Sequence, residues 1–97
     1  MNIRWHPKAE IDLSDLADYI AQDNPSAALR VFHRMVAAAE QLATFPNSGR
    51  EGRVRNTGEL VVSGLPYIVV YRLSESEVHI VGIQHTSRLW PESFPTD

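Results

Sequence analysis

The chain has 97 residues and no cysteine, with 9 basic against 12 acidic residues and a formal charge of −3. This is the length of one domain, without a disulfide framework or a thiolate metal site. No apolar run reaches the roughly 18 residues of a membrane span. The start, MNIRWHP, lacks the apolar segment of a signal peptide. These features predict a cytoplasmic protein with no membrane partner, and the acidic balance disfavours a tight, unaided hold on nucleic acid.

Residues 2–6 read as a short strand, with Ile3 and Trp5 alternating with polar neighbours. Pro7 suits the first turn of a helix. From 7 to 23, Ala9, Leu13, Leu16, Ala17 and Ile20 mark one helical face. Ile11 and Tyr19 form a narrower second stripe. Five acids, Glu10, Asp12, Asp15, Asp18 and Asp23, lie on the same helix. Asn24-Pro25 supplies an N-cap and a first helical residue. The second helix runs to about Phe45 and should bury Ala28, Val31, Phe32, Met35, Ala39, Leu42 and Ala43. So short a link makes the two helices an antiparallel hairpin.

Residues 50–58, REGRVRNTG, are a basic loop or a frayed strand start. Three β-rich pieces follow at 60–63, 67–73 and 78–85. Connections this short pair the strands antiparallel. A symmetric turn at 74–77 sets Leu73 opposite Val78, Arg72 opposite His79, Val70 opposite Val81 and Ile68 opposite Ile83. One face then carries Ile68, Val70, Arg72, His79, Val81, Ile83 and His85. The other carries Tyr67, Val69, Tyr71, Leu73, Val78, Ile80, Gly82 and Gln84 and is the predicted core face. The expected architecture is α+β: an N-terminal strand, an antiparallel helical hairpin and a three-strand antiparallel meander in a two-layer sandwich. The first strand joins the sheet edge or lies beside the last strand. The sheet face away from the helices is expected to be partly open and to carry function. Residues 1–97 form one domain, with the tail at 92–97 free to be mobile. His79, next to the turn, is expected to be wet, and His6 and His33 to lie at the surface. No His or carboxylate pair has convincing metal-ligand spacing, and no cofactor is expected.

Four pieces, HPKAEIDLSDLADYI, DNPSAALRVF, LATFPNSGR, and YIVVYRL followed by the last strand and HTSRLWP, occur in this order. Together they resemble the RelE/ParE superfamily of bacterial toxins from type II toxin–antitoxin modules. The resemblance covers nearly the whole chain. It implies a helical hairpin against an antiparallel sheet, a growth-arresting toxin, a cognate antitoxin that neutralises it, and operator DNA contacted only through that antitoxin. It also implies one of two targets: DNA gyrase for ParE-like members, or mRNA on the ribosome for RelE-like members.

Fold does not choose between these. RNA cleavage needs an acid or base and cations for the developing charge. Where RelE-like nucleases often carry Arg, this chain has Ile68 and Thr86, and its one lysine is Lys8. A nuclease reading is left with Arg72, His85 and Arg88 as catalytic residues, although His85 equally fits a structural role at a sheet edge. The ParE-like reading, inhibition of gyrase, is preferred. Its target-binding patch is Arg50, Arg53, Arg55, Arg88 and Trp90, since Arg and Trp are favoured contact types; Trp90 equally fits a plug at the sheet edge. A third reading is a non-toxic co-repressor that only binds its antitoxin. The antitoxin is expected on the second stripe, Ile11 and Tyr19.

Overall fold

The computed structural model describes residues 1–96; Asp97, the last residue of the expected tail, lies outside the described residues. β1 (Asn2–Trp5) leads into α1 (Pro7–Ala21) and α2 (Pro25–Gln41), followed by β2 (Arg50–Glu51), β3 (Gly58–Val61), β4 (Tyr67–Leu73) and β5 (Glu77–His85). The His6 imidazole accepts the Lys8 amide and caps α1, and Asn24 caps α2 by accepting from the Ala27 amide. Each helix opens on a proline, where the missing N–H costs nothing. α2 stops at Gln41, short of the expected Phe45, and the chain continues in turns.

The sheet order is β1-β5-β4-β3-β2. β1 runs parallel to β5 and every other pair is antiparallel. The N-terminal strand therefore lies beside the last strand, one of its two expected places. β2 is an addition to the expected meander: two residues from the basic loop pair with Glu59 and Gly58.

The β4–β5 register starts as expected at Leu73–Val78 and Arg72–His79 and then breaks. Tyr71 faces Ile80, but Val70 faces Gly82, so Val81 is the extra residue of a β-bulge. Past the bulge the alternation is inverted relative to the symmetric-turn expectation. Ile83 joins the helix-side core with Val69, Tyr71, Val78 and Ile80, rather than the opposite face. Gln84 moves the other way, its amide donating to the Leu89 carbonyl. His85 follows Ile83, and its ring stands edge-on against Tyr67. Leu73 leaves the predicted core because it ends its strand, and it is exposed.

Ala9 and Leu13 of α1 and Met35, Ala39 and Leu42 around α2 fill the helix-side core. Phe32, expected in it, lies at the margin beside Trp5 and is exposed. α1 is tied to the bulge by Asp12, whose Oδ2 accepts both Lys8 Nζ at 2.8 Å and the Ile83 amide at 3.0 Å. That amide lies past the last β1–β5 pair, Trp5–Ile80, so among the described residues no strand is there to accept it.

The expectation of an open second face is overturned. Ile68, Val70, Val81 and Phe94 form a second buried cluster, with Val54 and Trp90 packed against it. The segment after β5 folds back across the sheet and seats Phe94 at 4% exposure. Three apolar side chains on that face, Ile68, Val70 and Val81, needed a cover, and the chain supplies one. His79 is likewise buried rather than wet, beside the His6 ring and 3.3 Å from Arg4 Nη2. Among the described residues no helix is long and apolar enough to cross a membrane.

Candidate functional site

The basic loop and the C-terminal segment meet at Glu59. β3 alternation turns this side chain toward the second apolar face, opposite Val70, where it is 1% exposed. An isolated carboxylate there would be costly, and two arginines complete it. Arg50 Nε and Nη2 reach Oε1 at 3.2 and 3.1 Å. The Arg53 amide donates to Oε2 at 2.8 Å, with Arg53 Nε at 3.3 Å from the same oxygen. Burial alone would raise the Glu59 pKa; the Arg53 amide and the two guanidinium groups overcome that and hold it below the ordinary value.

Arg53 also lies flat over Trp90, its guanidinium carbon 3.7 Å from the ring centroid. Trp90 meets Phe94 edge-to-face with ring centroids 6.2 Å apart. The structure thus brings together three of the expected target contacts, Arg50, Arg53 and Trp90. Arg55 is exposed in the same loop, and its carbonyl accepts Arg72 Nη1 at 3.1 Å. Arg88 is elsewhere, exposed in the turn after β5.

Arg72, His85 and Arg88 are not brought together. Arg72 points into the second face and donates to four backbone carbonyls: Pro95, Arg55, Asn56 and Phe94. It ties the basic loop to the C-terminal segment. His85 lies on the helix side, where a cavity of about 580 Å³ is lined by Asp12, Asp15, Tyr19, Tyr67, His85 and Arg88, among others. The Ser87 amide donates to His85 Nδ1 at 3.1 Å, so the neutral ring carries its proton on Nε2. Tyr19, one of the two expected antitoxin contacts, lines this cavity, and both Tyr19 and Ile11 are exposed.

Glu59 and Phe94 are absent from the sequence reading. A signal existed for the first: Glu59 closes a ten-residue stretch that holds Arg50, Arg53 and Arg55, at an inward position of a strand. For Phe94 the signal was weaker, a lone aromatic in a Pro-rich tail.

A family model described as the ParE toxin of the type II toxin–antitoxin system parDE matches residues 3–90. The chain is 42% identical over 90 residues to a Sinorhizobium fredii protein named as a toxin, Y4kP, covering 93% of each chain. It is 41% identical over 85 residues to toxin RelE2 of Caulobacter vibrioides, covering 88% of this chain and 94% of the relative. Toxin RelE3 of the same organism is 35% identical over 87 residues, with the same coverage of 88% and 94%. Among solved structures, a chain from the chromosomal ParDE system of P. aeruginosa superposes with a TM-score of 0.81. That match has 23% identity and covers 90% of this chain and 97% of the other, a likeness of fold.

Proposed function

The chain belongs to the ParE toxin family of type II toxin–antitoxin systems, and from that premise we propose that it arrests growth by inhibiting DNA gyrase and is neutralised by a cognate antitoxin. The observation that carries the choice of target is the state of Arg72. All three nitrogens of its guanidinium are engaged by backbone carbonyls beneath the C-terminal segment. His85 lies across the sheet from it, beside Tyr67. A nuclease needs its acid and its cationic clamp on one reacting group, and these two do not share a face. A formal charge of −3 further disfavours a protein that must enter a ribosomal RNA site. A toxin that works by gripping a protein needs only a well-placed contact surface. The Arg50–Arg53–Trp90 cluster is of that kind.

The names of two relatives, RelE2 and RelE3, favour a second reading, mRNA cleavage on the ribosome. In that case His85, Tyr67 and Arg88 would work from the helix-side cavity without Arg72. The antitoxin is expected over Ile11 and Tyr19, and operator DNA is reached only through it.

Purified protein in a gyrase supercoiling assay separates the two. Inhibition of supercoiling, with DNA-damage signalling in induced cells, is the expected result. Codon-internal mRNA cuts in a ribosome-containing extract, with supercoiling untouched, would replace gyrase by the ribosome. Absence of any growth effect would leave a co-repressor.

A further inference from the structure

We infer that Glu59 is a positioning residue that holds Arg53 flat over Trp90 with Arg50 bonded to the same carboxylate, and that this cationic platform receives a carboxylate-bearing segment of a protein target. The inference rests on the reading of this chain as a toxin that acts by gripping a protein.

Three observations carry it. First, a buried carboxylate is not needed to close the second face. An apolar side chain of similar volume serves packing at least as well as a buried ion pair. What only a carboxylate does is fix two arginines at once. Glu59 does so while itself 1% exposed, through five donor contacts from Arg50 and Arg53.

Second, the arginines stay available. Their side chains remain 57% and 49% exposed. Among the described residues, neither Nη1 makes a hydrogen bond. Arg53 is stacked on the indole while its side chain stays half-exposed. A guanidinium already locked in place loses little freedom on binding, and its fork matches a carboxylate.

Third, the local charge is positive on an acidic protein. Arg50, Arg53, Arg55 and Arg72 gather here against Glu51 and Glu59, and among the described residues Arg72 is bonded to carbonyls alone. The five acids between Glu10 and Asp23 lie on or just beyond α1 instead. A patch this small, half neutralised by Glu51 and Glu59, gives a weak long-range field. Nucleic-acid affinity grows with the number of phosphates neutralised, so the arrangement favours short-range recognition of a carboxylate.

The test uses the full chain labelled with nitrogen-15, titrated separately with a glutamate-rich peptide, a lysine-rich peptide and a short single-stranded DNA. The glutamate-rich peptide should shift the Trp90 indole and Arg53 Nε–H signals, and the other two should not. Glu59→Gln and Arg53→Lys should each weaken that binding by roughly fivefold, the scale of one exposed ion pair. Arg53→Lys keeps a charge for Glu59 but loses the flat stack, so a purely structural Glu59 would leave this variant binding like wild type. That result, or DNA binding tighter than the peptide, overturns the proposal. If Glu59→Gln fails to fold, Arg53→Lys decides alone. A wild-type protein that fails to inhibit supercoiling removes gyrase as target and leaves the titration unaffected.

Discussion

Gly82 lies directly under Phe94: a Cβ placed on Gly82 would come within 2.6 Å of the Phe94 ring carbon Cε1. The β-bulge sets this up. By inserting Val81, it turns both Val81 and the bare backbone of Gly82 toward the second face, and the phenyl ring drops into the gap. Lys8 Nζ stands 5.3 Å from the ring centroid, so α1 also borders the seat. Gly82→Ala should push Phe94 out and loosen the segment after Trp90. The expected cost is about 1–3 kcal/mol, the range for overpacking. A lowered Tm and faster proteolysis after residue 90 would show it. An unchanged Tm would mean that the ring shifts aside freely.

The bulge also marks where sequence reasoning stopped. Strand alternation found both ends of β4, the Arg72–His79 pair and the apolar character of each face. It could not place one extra residue in β5, because Val81, Gly82 and Ile83 read as an unbroken strand. That single insertion moved Ile83 and His85 to the helix side and split Arg72 from His85. Cover on the second face was the other feature hidden from strand patterning. A face of Ile68, Val70 and Val81 is too apolar to stay open, yet the tail looked too short and Pro-rich to close it. Closure needs no secondary structure here: Phe94 supplies the packing, and Arg72 bonds the carbonyls of Phe94 and Pro95. The helical hairpin, by contrast, was legible apart from the end of α2 and the exposure of Phe32, because the Asn24-Pro25 start and the apolar periodicity are local.

Acid should weaken this fold through Glu59. Its folded pKa lies below the ordinary 4.5, burial being outweighed by the Arg53 amide and the two guanidinium groups. The unfolded chain therefore takes up the proton first. The stabilisation is fully present above about pH 4.5 and is lost as pH falls through the lower folded value. Glu59→Gln should cost about 1–3 kcal/mol at neutral pH, the scale of a hydrogen-bonded charged group. It should also flatten the acid limb of a plot of Tm against pH. Parallel acid limbs in wild type and variant would show that other carboxylates set the slope.

At the alkaline end the sensitive group is Tyr71. Burial raises its pKa above 10.0, an effect that the Gly49 amide partly offsets. The phenol is 3% exposed, and side chains at Gly49 and Gly58 would overlap its ring and hydroxyl. Its neutral form belongs to the folded state. That contribution is whole below about pH 10 and is lost as pH rises through the folded value. Tyr71→Phe should lower stability at pH 7 by about 1 kcal/mol, one hydrogen bond, while moving the alkaline unfolding midpoint upward. A midpoint that stays in place would assign alkaline unfolding to another group.

Arg72 and His85 should now behave differently when replaced. Arg72→Ala removes four donor contacts that join the basic loop to the C-terminal segment, so it should destabilise the protein by about 2–4 kcal/mol, with hydrogen bonds from a charged group at the upper end. His85→Ala removes a half-exposed ring and should change Tm little. If gyrase is the target, His85→Ala remains toxic. Any loss of toxicity in Arg72→Ala then tracks lost folded protein and is recovered at lower temperature. A folded, non-toxic His85→Ala would instead point to the helix-side cavity as a reaction site.

Tyr19 offers the cleanest test of where the antitoxin sits. It is 65% exposed, and Ile11, two turns earlier on α1, is 59% exposed. Neither belongs to the buried clusters, so replacing them leaves the core intact. Exposed aromatic and aliphatic side chains on one helix, next to a cavity, suit an amphipathic or extended partner segment. Tyr19→Glu adds a charge where Asp15 already borders the cavity and removes the apolar ring. Antitoxin affinity should fall by roughly tenfold or more, as for a hot-spot residue, with Tm unchanged to within a degree or two. Calorimetric titration of the variant with the antitoxin is the measurement. An affinity equal to wild type would move the interface off this stripe, whereas a matching fall in Tm would show that the hydroxyphenyl group supports the fold.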